Sequence, residues 1–127
     1  MVFYVPMEKL SGSLEHILKK SVRCLVKLNR KVVCLDGFVM SVQAHEGAYC
    51  SPRIDYAERY TAVEVGYPSE EEPLIMEWAQ NKNKPTDTVY GWVPAYRITL
   101  VCAKHGGVVS GDLPPGIPRL EPINENR

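Results

Sequence analysis

The chain of 127 residues contains 45% hydrophobic and 24% charged residues, and its 15 basic and 15 acidic side chains cancel to a formal net charge of zero. This length and composition predict one globular domain over residues 1–127 and exclude a disordered chain. Because binders of DNA or RNA carry a basic excess and DNA mimics carry an acidic one, the balanced charge argues against both classes.

The first third of the sequence predicts a short helix followed by a meander of three strands. Residues 1–12 are expected to form an N-terminal arm, and Ser13 is available as the N-cap of a short helix, or of an irregular segment, ending near residue 20. Alternating β-forming residues then predict strands over residues 22–28, 31–35 and 38–44. Asp36-Gly37 joins the last two strands and is typical of a type I′ hairpin turn, in which both central residues need a positive φ.

The middle of the sequence predicts a long loop, a fourth strand and a helix. Residues 45–60 form a polar connection that is longer than most, and residues 61–67 alternate as a strand. Ser69 and Glu72 match a capping box, which predicts that a helix begins there. The buried stripe of this helix is expected to contain Leu74, Ile75, Trp78 and Ala79.

The last third predicts a short fifth strand, a second helix and a tail. The strand covers residues 89–93, Pro94 fits the first turn of a helix that runs to about Lys104, and the His-Gly-Gly string at 105–107 forms its C-cap. Residues 108–127 are rich in proline and predict a tail that is extended along a surface or frayed. Together these elements predict an α+β fold, an antiparallel sheet of about five strands with two main helices packed on one face.

Cysteine and histidine are the residues that could carry metal or catalytic chemistry. Cys102 and His105 have the spacing of two ligands on one helix and could form a zinc site with His45 and Cys50. Against this, the sequence has no Cys-x-x-Cys pair, Cys102 is the natural core residue of its helix, and His105 lies where a C-terminal cation is favourable. Cys50 could also pair with either histidine as a nucleophile, but no catalytic or phosphate-binding motif accompanies it. We therefore expect no enzyme, no metal and no cofactor. With no recognisable signal peptide or membrane-spanning run, we expect free thiols and a cytoplasmic location.

The string Tyr-Cys-Ser-Pro-Arg at 49–53 is the main candidate for ligand binding. It combines the aromatic face of Tyr49, the hydroxyl of Ser51 and the guanidinium of Arg53. Arginine binds phosphate or carboxylate through two parallel hydrogen bonds, and an aromatic face stacks on a base or a cation. The alternative is that Arg53 forms an ion pair with Asp55 or Glu58 and binds no ligand.

A second stacking surface is predicted on the fifth strand. Tyr90 and Trp92 are two residues apart, so both side chains are expected on the same side of the strand, with Arg97 one helical turn beyond. The alternative is that the two rings are half-buried core residues. Arg23, near the start of the first predicted strand, is added to the ligand-binding set by its chemistry and location.

Five strings of residues resemble proteins of one known family. They are the stretches at 37–44, 49–53, 63–69, 89–94 and 105–107. The family is that of the phage Thoeris anti-defence proteins of the first type, which act as sponges that sequester cyclic ADP-ribose signals made by bacterial TIR-domain enzymes. The resemblance implies a homo-oligomer, a dimer or larger, with pockets built partly across subunit boundaries. It also implies that arginines bind the phosphates of the ligand while an aromatic ring stacks on the adenine, and Arg53 lies inside a matching string.

We therefore expect a non-enzymatic phage protein that binds and sequesters a cyclic nucleotide immune signal, of the cyclic ADP-ribose type, without cleaving it. The expected location is the cytoplasm of the infected bacterial host, and neither membranes nor DNA or RNA polymers are expected partners. The alternative is a protein–protein inhibitor of a bacterial defence system, of the anti-CRISPR type, which would use exposed aromatic residues and the tail as its interface.

Overall fold

The computed structural model describes residues 27–122 of the chain. The predicted arm at 1–12, the helix at 13–20 and Arg23 lie outside the described residues, as does most of the strand predicted at 22–28. Within the described range, no helix is long and apolar enough to span a bilayer.

A five-stranded antiparallel sheet forms the centre of the structure, as the sequence predicts. In chain order its strands are β1 (Val32–Cys34), β2 (Val39–Gln43), β3 (Ala62–Gly66), β4 (Val89–Pro94) and β5 (Val108–Ser110). They lie in the order β4-β3-β2-β1-β5, with every neighbouring pair antiparallel. Helix α1 (Ala95–Lys104) follows β4 directly. Sheet and helix together confirm the α+β class.

One face of α1 and alternate strand residues supply the core. Ile98, Val101 and Cys102 are buried on the helix, in the positions that the helical spacing predicts. Burying such side chains stabilises a fold by roughly 1.5–3 kcal/mol each. The fully buried strand residues are Val32, Met40, Val42, Val63, Val65, Tyr90, Val93 and Val108.

The hairpin between β1 and β2 forms where Asp36-Gly37 predicts it, but with a different turn. The N–H of Gly37 donates to the carbonyl of Cys34 (3.0 Å), and the N–H of Cys34 donates to the carbonyl of Phe38 (2.8 Å). In this three-residue loop Gly37 has a positive φ of 95° and Asp36 does not. The predicted type I′ turn is therefore wrong, because a three-residue loop needs only one left-handed residue, here the glycine.

Of the two main helices predicted, the second is confirmed and the first is wrong. Helix α1 ends before Gly106 and Gly107, whose φ values of 92° and 97° are those of a glycine C-cap. The segment after Ser69 forms only a 3₁₀ turn, at Met76–Trp78. The described residues thus contain one main helix.

The capping box at Ser69 fails because both of its side chains bind elsewhere. The hydroxyl of Ser69 accepts a hydrogen bond from the N–H of Val39 (2.9 Å), and the N–H of Ser69 donates to the carbonyl of Val39 (2.8 Å). Glu72 is buried and accepts hydrogen bonds from the N–H of Leu74 (3.0 Å) and from Nζ of Lys104 (2.9 Å). Neither side chain is left to satisfy the first N–H groups of a helix.

The tail predicted over residues 108–127 begins with a strand that the sequence does not predict. Strand β5 pairs with β1, with Val108 opposite Cys34. The chain then returns, and the N–H of Val108 donates to the carbonyl of Leu120 (2.7 Å). The segment that follows β5 therefore returns to lie beside it at Leu120, and between them the carbonyl of Pro115 accepts from the N–H of Tyr60 (2.8 Å).

Candidate binding surface

Strand β4 contains a bulge at Trp92. Val63 of β3 lies opposite Val93, whereas Val65 lies opposite Tyr90, so β4 has one more residue than β3 between these pairs. Trp92 is one of the two residues of β4 between these pairs, and it has a φ of 53°. A bulge of this kind bends the strand and redirects the side chain of the bulged residue.

The bulge separates the two rings that were expected to share one side of the strand. Tyr90 is completely buried, and its hydroxyl donates to the carbonyl of Pro85 (2.6 Å). Burial also raises the pKa of the Tyr90 hydroxyl. Trp92, by contrast, is 49% exposed. The prediction that Tyr90 offers a stacking surface is wrong, because the extra residue breaks the two-residue period on which it depends.

The exposed indole of Trp92 stacks on the ring of Tyr49. The two ring centroids are 5.0 Å apart, with an angle of 27° between the planes. The backbone joins the same two residues, since the N–H of Trp92 donates to the carbonyl of Tyr49 (3.0 Å). The N–H of Tyr49 in turn donates to Oε1 of Glu64 (3.0 Å). Gly91 permits this close approach, because a Cβ there would lie 3.2 Å from Cβ of Tyr49.

The guanidinium of Arg53 also lies over the Tyr49 ring. Its guanidinium carbon lies 5.4 Å from the ring centroid, and its Nε donates to the carbonyl of Glu46 (3.0 Å). Within residues 27–122 it makes no ion pair with Asp55 or Glu58, so the ion-pair alternative is wrong. Asp55 instead accepts a hydrogen bond from the N–H of Glu46 (2.8 Å). We call Tyr49, Arg53 and Trp92 the Tyr49 surface.

Ser51 anchors the loop that carries the Tyr49 surface. Its N–H donates to the carbonyl of Ala62 (3.0 Å), and its carbonyl accepts from the N–H of Thr61 (2.8 Å). These bonds extend the pairing of β3 by one residue of the loop. These two backbone hydrogen bonds of Ser51 hold the loop, and with it Tyr49 and Arg53, beside the start of β3.

Arg97 belongs to a different aromatic cluster. Its guanidinium carbon lies 5.4 Å from the ring centroid of Trp78 and 5.6 Å from that of Tyr96. In the described part of the chain it contacts neither ring of the Tyr49 surface. The sequence predicts Trp78 in the core of a helix and no role for Tyr96, so it does not predict this cluster. The structure thus brings together Tyr49, Arg53 and Trp92, and separates Arg97 from them.

The cysteines and histidines proposed for metal or catalysis are engaged in other contacts. The thiol of Cys50 is buried and donates to the backbone carbonyl of His45 (3.2 Å), not to its ring. Burial raises the pKa of the Cys50 thiol, which disfavours the nucleophilic thiolate. Cys102 is buried beside Cys34, and burial raises its pKa to about 12. No group of three or more metal-ligating side chains is found in residues 27–122.

His105 lies at the centre of a buried charge network that the sequence does not reveal. Nδ1 contacts Oδ2 of Asp36 and Nε2 contacts Oε1 of Glu72, each at 2.6 Å. The ring also stacks on Phe38, with centroids 4.1 Å apart. Burial lowers the pKa of His105, but its hydrogen bonds to the two carboxylates outweigh burial and raise the pKa overall. The network ties the β1–β2 hairpin and the segment at Glu72 to the C-terminal end of α1.

A shallow cleft lies beside the loop, separate from the Tyr49 surface. Its volume is about 120 Å³, which is small compared with the roughly 300–1,000 Å³ of typical small-molecule pockets. Its lining consists of Lys27, Asn29, Gln43, Ala44, His45, Asp55, Tyr56, Tyr60, Pro114 and Pro115. The cleft contains none of the residues predicted to bind ligand.

No protein-family model, curated protein or solved structure matches the sequence. The function proposed below therefore depends on the side chains of the Tyr49 surface and on the resemblance described above.

Proposed function

We propose that the chain is a non-enzymatic binding protein whose Tyr49 surface holds a small ligand with a base and a phosphate, a nucleotide. Tyr56, Tyr67 and Trp92 all combine a positive φ with an exposed ring, but among the described residues only the ring of Trp92 stacks on another, that of Tyr49. The observation that carries this proposal is therefore the conformation of Trp92 together with this stacking. This large residue has a positive φ and a half-exposed ring, although bulky residues seldom adopt positive φ. Such conformations cost about 1–3 kcal/mol and cluster at functional sites. Core packing does not explain the cost, because half of the side chain faces solvent.

The chemistry of the surface suits both parts of a nucleotide. The half-exposed indole of Trp92, stacked on Tyr49, offers an aromatic face on which a base can stack, an interaction worth about 1–3 kcal/mol per base. The guanidinium of Arg53 has no carboxylate partner in the described residues, so its terminal nitrogens can donate to a phosphate. Glu64 restrains the loop through the N–H of Tyr49. A ligand would thus meet a largely preorganised site.

The family resemblance narrows the proposed ligand to a signal of the cyclic ADP-ribose type. In this proposal a phage protein sequesters the signal in the cytoplasm of its bacterial host and does not cleave it. The protein is a homo-oligomer, a dimer or larger, and a second copy supplies part of the pocket.

The test is calorimetry of the purified protein with cyclic ADP-ribose isomers, and with NAD, ADP-ribose and cyclic dinucleotides as comparison ligands. We expect tight, saturable binding of a cyclic ADP-ribose isomer, and mass spectrometry of the ligand released by heat should recover it unchanged. Light scattering during the same titration should give a mass of at least twice the 14.3 kDa of one chain. Recovery of a cleaved ligand would make the protein an enzyme, and no binding of any nucleotide would exclude the proposal.

Exposed aromatic residues favour a second candidate function, inhibition of a host defence protein by direct contact. Tyr56, Tyr67, Trp92 and Tyr96 are all exposed, by 49% to 84%. Aromatic residues are enriched at the energetic centres of protein interfaces. Affinity purification from infected cells distinguishes the two candidates, because this one requires a stoichiometric complex with a defence protein that survives removal of nucleotides.

A further inference from the structure

A second arginine is held between aromatic rings in the first turn of α1. The guanidinium of Arg97 lies 5.4 Å from the ring centroid of Trp78 and 5.6 Å from that of Tyr96. Trp78 comes from the 3₁₀ turn and Tyr96 from the helix itself. Contact with rings from two elements restricts the rotation of the guanidinium, so its donor groups have a defined direction.

Arg97 has no counter-charge among the described residues. Within residues 27–122 no carboxylate lies within ion-pair distance of it, whereas Arg30 pairs with Asp112 at 3.0 Å and Arg119 pairs with Glu121 at 3.1 Å. Its Nε is buried without any hydrogen-bond partner. A cation that is partly removed from water and lacks an acceptor is poorly compensated. An anion in contact with the guanidinium would correct this deficit.

The terminal nitrogens of Arg97 are the groups that an anion could reach. In the described part of the chain, Nε is the one buried side-chain nitrogen or oxygen without a hydrogen-bond partner. Nη1 and Nη2 also lack partners there, so they are not buried and solvent can reach them. Two parallel N–H groups match the oxygen spacing of a phosphate or a carboxylate. The first turn of α1 also has no acidic residue and no side-chain cap that would compete with the anion.

We propose that Arg97, oriented by Trp78 and Tyr96, is a binding site for an oxyanion group, a phosphate or a carboxylate. The site is separate from the Tyr49 surface and does not depend on the proposed function. A metabolite or a partner protein that carries such a group would contact the protein here through Nη1 and Nη2 of Arg97.

The test is NMR titration of the Nε–H signal of Arg97 with inorganic phosphate at constant ionic strength, repeated with acetate as the carboxylate probe. Burial of Nε should slow its exchange with water and keep the signal visible. Its nuclear Overhauser contacts to the Trp78 ring identify it without a variant. We expect a saturable shift with at least one of the two anions, and the tighter one identifies the oxyanion class.

Three substitutions define the specificity of that response, and the indole N–H signal of Trp78, which lies beside Arg97, reports it in each of them because Arg97→Lys has no Nε–H. Arg97→Lys keeps the positive charge but removes the paired donors, and should weaken anion binding about tenfold or more. Arg59, an exposed arginine without an ion pair or ring contact in the described residues, is the matched control, and Arg59→Lys should leave the titration unchanged. Arg53→Ala should also leave it unchanged, which separates this site from the nucleotide site. A shift that is linear in anion concentration, or a shift of the Trp78 indole N–H that Arg97→Lys retains at full strength, would overturn the proposal.

Discussion

Trp92 and Tyr49 are joined twice, by ring stacking at 5.0 Å between centroids and by a hydrogen bond from the N–H of Trp92 to the carbonyl of Tyr49 at 3.0 Å. The loop at Tyr49 therefore accepts one backbone hydrogen bond at the outer edge of β4, and this bond comes from the bulge residue Trp92. The position of the exposed Trp92 ring therefore depends on Tyr49. A change at either residue should alter both the backbone at this edge and the surface offered to a ligand.

Arg53→Ala tests whether the guanidinium binds the phosphate of the ligand. We expect the affinity for the nucleotide to fall by about 10- to 100-fold, the value of one hydrogen-bonded charged contact. The free energy of unfolding should change by less than about 0.5 kcal/mol, because Arg53 is exposed and makes no ion pair in the described residues. Calorimetry and urea unfolding measure the two quantities. Arg59→Ala is the control, and an equal loss of affinity there would contradict a specific role for Arg53.

Trp92→Gly tests whether the indole contributes to ligand binding although the positive φ of Trp92 lowers the stability of the fold. Glycine adopts a φ of 53° without strain, whereas alanine does not. We therefore expect the glycine variant to be more stable than Trp92→Ala by roughly 1 kcal/mol in urea unfolding. Both variants should lose nucleotide binding, since neither has a ring. If the glycine variant bound the ligand as tightly as the native protein, the Tyr49 surface would not be the site.

The network around His105 predicts a stability maximum between about pH 4.5 and 6.5, the ordinary pKa values of Glu72 and His105. The pKa of His105 is raised in the fold, so its contribution is complete below pH 6.5 and is lost as the pH rises through the folded value. For Glu72, burial raises the pKa, but hydrogen bonds from the N–H of Leu74, Lys104 and His105 outweigh it. Its lowered pKa makes its contribution complete above pH 4.5 and lost on acidification. Urea unfolding measured from below pH 4.5 to above pH 6.5 covers both limbs.

Glu72→Gln should remove most of that pH dependence. It deprives the His105 imidazolium of a buried carboxylate, and loss of one partner of a buried pair costs roughly 3 kcal/mol. The alkaline limb should flatten, because the folded pKa of His105 moves back toward its ordinary value. Glu71→Gln, an exposed neighbour, should change neither the stability nor its pH profile. A flat profile in the native protein would contradict the assignment of His105 as charged.

The buried thiols should be unreactive until the protein unfolds. Cys34, Cys50 and Cys102 are each about 1% exposed, and burial raises the pKa of Cys102 to about 12. In a Cys24→Ser variant, which leaves only these three thiols, we expect a disulfide reagent to label them at the rate of unfolding and completely in urea. Rapid labelling of the folded variant would show that one of them is accessible.

Local signals in the sequence predict the hairpin at Gly37 and helix α1 correctly because their determinants lie within a few residues. The helix expected after Ser69 does not form because Val39 and Lys104, distant in sequence, bind the capping side chains. No local pattern contains that information. Strand β5 is missed for the same reason, since its pairing with β1 joins residues more than seventy positions apart.

The candidate site is only partly predictable. Arginine and tyrosine in a constrained loop correctly indicate Tyr49 and Arg53 as neighbours. The opposite orientations of Tyr90 and Trp92 follow from a bulge, which depends on how β3 and β4 pair and leaves no signature in the spacing of the residues. Arg97 meets Trp78 on the 3₁₀ turn that forms where the sequence predicts a helix, and the sequence does not predict this contact.

Both outer strands of the sheet have part of their backbone covered by other segments of the chain. Beside β4, the N–H of Gln80 donates to Val89 and the N–H of Trp92 donates to Tyr49; beside β5, the N–H of Val108 donates to Leu120. Unprotected outer strands are the usual route by which β proteins polymerise or recruit an extra strand. Copies of this chain would have to displace these segments to associate in that way. We therefore expect copies of this chain to associate through side-chain surfaces and not through a continuous intermolecular sheet.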